Sequence, residues 1–144
     1  RIMRPDPEQF SLWHELDVRF KDVDVGGHVH HSLVLVYFEE GRSRYWRDVV
    51  GRGDPEEVDF ILAEARVRYH ARVFYPMRLR VGVRISSLRR KHFVMEYLLE
   101  DDRGEALASG ETVMVMFDYG EKRSKAVPEE VAAAIRAFEN GEAD

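Results

Sequence analysis

Residues 61–74 alternate without interruption. Ile61, Ala63, Ala65, Val67, Tyr69, Ala71 and Val73 fall on one side, and Leu62, Glu64, Arg66, Arg68, His70, Arg72 and Phe74 on the other. A period of two over this length reads as a β-strand with one apolar and one mostly charged face. Tyr75-Pro76-Met77 breaks the run. Leu79, Val81, Val83 and Ile85 then alternate with Arg78, Arg80, Gly82 and Arg84 in a second strand. A third covers His92 to Glu100 and ends at the hairpin-type turn Asp101-Asp102-Arg103-Gly104; a fourth runs from Ala106 to Tyr119. Near the start, Trp13 to Phe20 reads as another strand, with Leu12, His14, Leu16, Val18 and Phe20 on one face.

Between the first strand and the other four lies a segment of different period. Residues 32–50 read as a helix, with Ser32 as a plausible N-cap and Gly51-Arg52-Gly53-Asp54-Pro55 as its stop. Leu33 to Phe38 is apolar on every side, which predicts a helix start buried all round. A long helix wrapped by a curved antiparallel sheet of about five strands satisfies both patterns, an α+β architecture. The polar face of the strands is then the wetted side of the sheet. An edge strand of such a sheet needs cover, and edge-to-edge dimerisation supplies it. Residues 128–140 read as a short C-terminal helix, with Pro128 near its start and Gly141 at its end. Residues 1–10, with two prolines and few apolar groups, read as a loose N-terminal arm. The 144 residues fit a single domain spanning 1–144.

The bulk numbers narrow the function classes. A hydrophobic content of 44% supports a real core, and 34% charged residues argue for a soluble protein. The formal net charge of −5 disfavours general nucleic-acid binding. The chain has no cysteine, so disulfides, thiolate chemistry and cysteine zinc sites are excluded. The longest apolar stretch is too short to span a bilayer, and the N-terminal residues carry no secretory signal pattern, so the expected location is cytoplasmic.

The stretch Asp24-Val25-Gly26-Gly27-His28-Val29-His30-His31-Ser32 leads directly into the apolar helix. A carboxylate in a Gly-bent loop at a helix start stands beside free backbone N–H groups that can polarise a carbonyl. Asp24 can serve as a nucleophile or general base, or simply as an Asx-type turn residue. Asp22, two residues away, reads as a solvated or salt-bridged loop acid. His31 could orient a substrate, bond Asp24 or shuttle a proton. His28 is either substrate-orienting or a structural loop residue, and His30 a spectator. The three histidines match no standard metal-site spacing, so no metal is expected. Glu39 can pair with Arg42 at i+3, and the alternating polar face accounts for Glu64. Arg89-Arg90-Lys91, in the turn before the third long strand of the sheet, is the strongest basic cluster.

These residues carry a family likeness. Arg19-Phe20-Lys21-Asp22-Val23-Asp24-Val25-Gly26-Gly27-His28-Val29, followed by Tyr37-Phe38-Glu39-Glu40-Gly41-Arg42, resembles the signature of hotdog-fold acyl-CoA thioesterases, in particular the 4-hydroxybenzoyl-CoA thioesterase group and the related Tol-Pal-associated thioesterases. Tyr75-Pro76 and the strand order fit as well. The resemblance implies a hotdog fold and hydrolysis of an acyl-CoA to free acid and CoA, with Asp24 as base or nucleophile. His31 would be its partner, and backbone N–H groups around His31 and Ser32 would polarise the carbonyl. It also implies a homodimer with sites at the subunit interface, often assembled into a homotetramer, and no cofactor beyond the coenzyme A of substrate and product. Arg89, Arg90 and Lys91 are then candidates to bind the phosphates of coenzyme A. The loop mixes two variants of the family. His28 matches an Asp-x-x-Gly-His-Val-Asn-Asn form, but His30-His31 stands in place of Asn-Asn, and Val34 stands where relatives often have Tyr. An acyl-carrier-protein thioesterase and a non-catalytic acyl-binding hotdog domain are the alternatives.

Overall fold

A computed structural model describes residues 4–141 of the chain. Strand β1 (Leu12–Asp17) is followed by a short 3-10 turn at Phe20–Asp22, the glycine loop and helix α1 (Ser32–Tyr45). Strands β2 (Phe60–Tyr69), β3 (Arg78–Leu88), β4 (His92–Asp101) and β5 (Ala106–Asp118) come next, then a two-residue strand β6 (Arg123–Ser124) and helix α2 (Glu129–Glu139). The main sheet has the order β1-β3-β4-β5-β2, antiparallel at every junction, with β6 appended to β5. It curls around α1, as the combination of long strands and one apolar helix requires. No helix among the described residues is long and apolar enough to cross a membrane.

The helix packs through Val34, Tyr37, Phe38, Gly41 and Tyr45, all buried. Phe38 stacks on Tyr97 of β4 with ring centroids 4.6 Å apart. Gly41 lets the helix cross β3 closely: a Cβ there would sit 2.6 Å from Val83 Cγ2 and 2.9 Å from Val81 Cγ1. After Tyr45 the helix widens into a single π-type turn, Trp46–Val50, and stops at Gly51, whose φ of 82° is the left-handed cap that glycine adopts without strain. On the outer face of the sheet, Arg80 with Glu100, Arg84 with Glu96 and Arg68 with Glu111 form cross-strand ion pairs.

Four sequence expectations change. The helix start is not buried all round, because Leu35 and Val36 remain exposed. The sheet covers only one side of α1 in a single subunit. The first strand of the sheet stops at Asp17; Val18 is still buried, but Phe20 turns outward. The segment expected as a loose arm contains an ordered turn, Pro7–Gln9, capped by Asp6, and Phe10 is buried against Leu98, Ala106 and Trp13. One aromatic group was enough to anchor it. The alternating run 61–74 forms a strand only to Tyr69, and a bulge at Ala63 breaks its phase: Leu62 opposes Met114 and Glu64 opposes Val113. Phe60 and Leu62 therefore share the inner face with Ala65 and Val67, and Ile61 turns to the other side. Most of β2 is exposed, with Leu62 at 50%, because it is an edge strand.

Candidate active site

The glycine loop is held by its own acid. Asp24 Oδ1 accepts the N–H of Gly26 at 2.9 Å and of His28 at 3.4 Å, and the Asp24 N–H donates to the His28 carbonyl at 2.9 Å. Gly27 turns the chain with φ 81°. Oδ2 of Asp24 accepts no protein hydrogen bond among the described residues, and the side chain is exposed. A carboxylate oriented through one oxygen leaves the other to take a proton from water or to attack a carbonyl.

Asp22 does different work. It is 3% exposed and accepts the Arg19 N–H at 3.0 Å and the Tyr37 hydroxyl at 2.8 Å, with the Arg19 guanidinium at 3.3 Å. Its carbonyl accepts the His30 N–H. Asp22 thus ties the loop to the buried face of α1. Burial pushes its carboxyl upward, but the Arg19 N–H, the Tyr37 hydroxyl and the Arg19 charge outweigh it, and the group sits below its ordinary 3.8. A pKa lowered by folding gives stability that is complete above pH ~4 and lost as pH falls further. Asp22→Asn should therefore cost about 1–3 kcal/mol at neutral pH. The gap in melting temperature from wild type should close as pH falls towards 3; a gap constant from pH 7 to 3 would show that the carboxylate charge is not what stabilises the loop.

The helix head lies beside this loop. His31, not Ser32, holds the N-cap position, in helical backbone geometry, and its side chain makes no capping bond. Capping falls to His30: its Nδ1 accepts the Ser32 N–H at 3.2 Å and contacts Ser32 Oγ at 2.8 Å. The N–H groups of Leu33 and Val34 donate to the carbonyls of His30 and His31. The His31 N–H finds no acceptor among the described residues. Of the donors expected at the helix start, the one at His31 is open and the one at Ser32 is engaged.

A cleft of about 350 Å³ opens next to this point, lined by His28, Val29, His31, Val34, Tyr69, His70, Ala71, Arg72 and Val73. The loop and the end of β2 meet there because the Val29 N–H donates to the Val73 carbonyl at 2.9 Å. The Tyr69 hydroxyl donates to the His31 carbonyl at 2.9 Å, fixing the first turn of the helix. His28 stands against Phe74, and its Nε2 accepts from the Arg72 guanidinium at 3.3 Å. That bond puts the ring proton on Nδ1, which is buried without a partner. His28 and the Asp24 carboxylate both flank Gly26: a Cβ there would lie 3.2 Å from Asp24 Oδ1 and 3.6 Å from the His28 ring. His70 bonds Ser109 at 2.8 Å; burial first, then the charges of Arg4 and Arg68, lower its pKa, so it is neutral at pH 7.

His28 and His31 thus share the cleft, while Asp24 is tied to His28 through the loop and does not itself line the cleft. Tyr69, His70 and Arg72 join them, although the uninterrupted alternation of residues 61–74 makes them look like ordinary strand positions. Glu39 pairs with Arg42 at 3.7 Å, and Glu64 is an exposed residue of β2. Arg89, Arg90 and Lys91 do not reach this cleft within one chain. Their turn adjoins His92, which opposes Val115, whereas Tyr69 opposes Ala108 on the same strand β5. Those positions are roughly 23 Å apart at ~3.3 Å per residue. Among the described residues no three His, Asp or Glu side chains converge as a metal site.

Fold and site together define a domain in which a curled antiparallel sheet holds a long helix and an acid-bearing loop stands at that helix's head. Residues 18–135 match the Thioesterase-like superfamily, and the chain belongs to this hotdog-fold superfamily. Its relatives include the acyl-CoA thioester hydrolase YbgC of Escherichia coli, 23% identical over 122 residues that cover 83% of this chain and 91% of that one. The YsmA protein of Bacillus subtilis is 28% identical over 106 residues, covering 74% and 72%. A Thermus thermophilus thioesterase, solved in complex with coenzyme A and Zn, is 34% identical with a TM-score of 0.80, covering 92% of this chain and 97% of that one.

Proposed function

We propose that this protein hydrolyses acyl-CoA thioesters to a free acid and coenzyme A. The observation that carries the reading is the loop at the head of α1: Asp24 is anchored through Oδ1 with Oδ2 open, seven residues before the His31 N–H, which has no acceptor among the described residues. The His31 N–H, reinforced by the helix dipole, polarises the thioester carbonyl and stabilises the oxyanion. Asp24 Oδ2 removes a proton from water as it adds to the carbonyl carbon. The tetrahedral intermediate collapses, the carbon–sulfur bond breaks, and the leaving thiolate takes up a proton. The His28 and His31 side chains line the cleft as groups that orient the substrate. The names of the E. coli and T. thermophilus relatives support acyl-CoA as the substrate class. The His at position 31 favours the Tol-Pal-associated branch of the family.

We also infer that the working unit is at least a homodimer built across β2. This strand leaves one edge unpaired, and its exposed Leu62 adjoins exposed Leu35 and Val36 on α1. A two-fold antiparallel pairing of β2 with its copy sets the Tyr69 end of one strand beside the Phe60 end of the other. The cleft of one subunit then lies near the end of the sheet that carries the partner's Arg89, Arg90 and Lys91. In that arrangement the basic turn serves coenzyme A phosphates bound at the neighbouring site.

The test is a panel of straight-chain and aromatic acyl-CoA thioesters, with released thiol as the readout and acyl-carrier-protein thioesters alongside. Thiol release from one or more CoA thioesters is expected. Release from the carrier-protein substrates alone would move the activity to that class. No release from any of them would leave an acyl-binding domain.

A further inference from the structure

A second pocket, of about 180 Å³, lies between α1 and the edge of the sheet, lined by Leu35, Val36, Glu39, Arg42, Leu62 and Thr112. Its walls are apolar, but its inner end is not. The Arg42 guanidinium donates to the Tyr97 hydroxyl at 3.1 Å, and Tyr97 shares a 2.7 Å hydrogen bond with Thr112 Oγ1. Tyr97 and Thr112 are fully enclosed. Arg42 is itself only 12% exposed, yet the one carboxylate it pairs with among the described residues, Glu39, stands 3.7 Å away with 64% of its side chain in water. A guanidinium removed this far from solvent is normally held by a close, bidentate anion. Arg42 has a neutral hydroxyl and a distant, solvated partner instead.

We propose that this pocket receives an acyl chain that ends in a carboxylate, bound by Arg42. The inference rests on the thioesterase reading and on the β2 pairing. Within one chain the cleft reaches α1 at Val34 and the pocket begins at Leu35, but their sheet walls lie apart: Leu62 and Tyr69 are separated by roughly 20 Å along β2, six register steps at ~3.3 Å each. His31 and Arg42 are roughly 16 Å apart along α1 at ~1.5 Å per residue. Antiparallel pairing of β2 with its copy brings the partner subunit's Tyr69, and with it the partner's cleft, to the Phe60–Leu62 end of this strand. A thioester held at one subunit's Asp24 then directs its short acyl chain between Leu35, Val36 and Leu62 of the other. The far carboxylate reaches Arg42 and displaces Glu39 into solvent. A pocket of about 180 Å³ suits a short acyl chain better than a long fatty one.

The experiment compares glutaryl-CoA with hexanoyl-CoA, by turnover and by calorimetric binding of their non-hydrolysable thioether analogues. The wild-type protein is expected to favour the carboxylate-ended chain at least tenfold in kcat/KM and in Kd. Arg42→Met should reduce that ratio about tenfold, with the loss in KM. Glu39→Gln should raise it by removing the competing anion. A wild-type protein without the preference overturns the proposal, as does an Arg42→Met ratio equal to wild type. The two readings separate cleanly. Hydrolysis without discrimination rejects the pocket and keeps the enzyme; discrimination in binding without hydrolysis keeps the pocket and rejects the enzyme.

Discussion

Asp24→Asn is expected to lower kcat on acyl-CoA by at least about a hundredfold, the lower end of what a positioned general base contributes. KM should move by no more than a few-fold. The substitution is informative because of how Asp24 is held. Its Oδ1 fastens the loop through the Gly26 and His28 N–H groups, and an asparagine carbonyl oxygen can accept the same two bonds. Only the other terminus changes, from a proton-accepting oxygen to an amide nitrogen. The loop should keep its shape, and the melting temperature should stay within a degree or two of wild type. The Gly27 turn and the Asp22–Tyr37 anchor do not involve Asp24 Oδ2. A kcat within threefold of wild type would show that Asp24 is a turn residue only, and that the base lies elsewhere in the cleft. A fall in both kcat and melting temperature would point to loop collapse, which Asp24→Ser, with a hydroxyl acceptor, would expose by restoring stability without activity.

How much of this was legible in the sequence depended on whether a signal was local. The strands, the helix stop at Gly51 and the Asp24–Gly27 bend are written in adjacent residues: alternation, a left-handed glycine, a short-range side-chain bond. Asp22 shows where that reading runs out. Its loop position suggests a solvated or salt-bridged acid, and the Arg19 pairing fits; its burial does not, because its partner Tyr37 is fifteen residues further on and only the packing of α1 brings the two together. Ala63 is a second case. Nothing in the unbroken alternation of 61–74 marks a bulge, and the phase change appears only when β2 is paired with β5. Tyr69, His70 and Arg72 were hidden for the same reason: they become cleft residues where the ladder ends, with His70 and Ala71 sharing the Leu107 carbonyl, and where Val73 bonds the distant Val29. His30 presents the reverse. It stands beside His31 and looks interchangeable with it, yet its ring caps the helix and leaves the His31 N–H open.

The all-round apolar character of Leu33–Phe38 is the one local signal that a single subunit leaves unexplained, and it gives the sharpest test of assembly. Leu62, Leu35 and Val36 all face solvent in one chain. Replacing a half-exposed surface leucine with a charge normally changes stability by no more than about 0.5 kcal/mol. If β2 pairs with its copy, Leu62→Arg instead places an unpaired cation inside an apolar interface, which costs several-fold more. The variant should sediment as a monomer where wild type sediments as a dimer or tetramer, melt several degrees lower, and turn over acyl-CoA at least tenfold more slowly. Wild-type specific activity per subunit should also fall on dilution through the dissociation range, a readout that needs no substitution and leaves the pocket walls intact. The activity loss follows from geometry. Tyr69 of the cleft and Leu62 of the pocket stand near opposite ends of β2 within one chain, and the proposed two-fold pairing would set one subunit's cleft beside its copy's pocket. A wild-type protein that is monomeric at assay concentration and fully active, or a monomeric Leu62→Arg protein with wild-type turnover, would show that a single subunit completes the site and that the exposed face of β2 has another use.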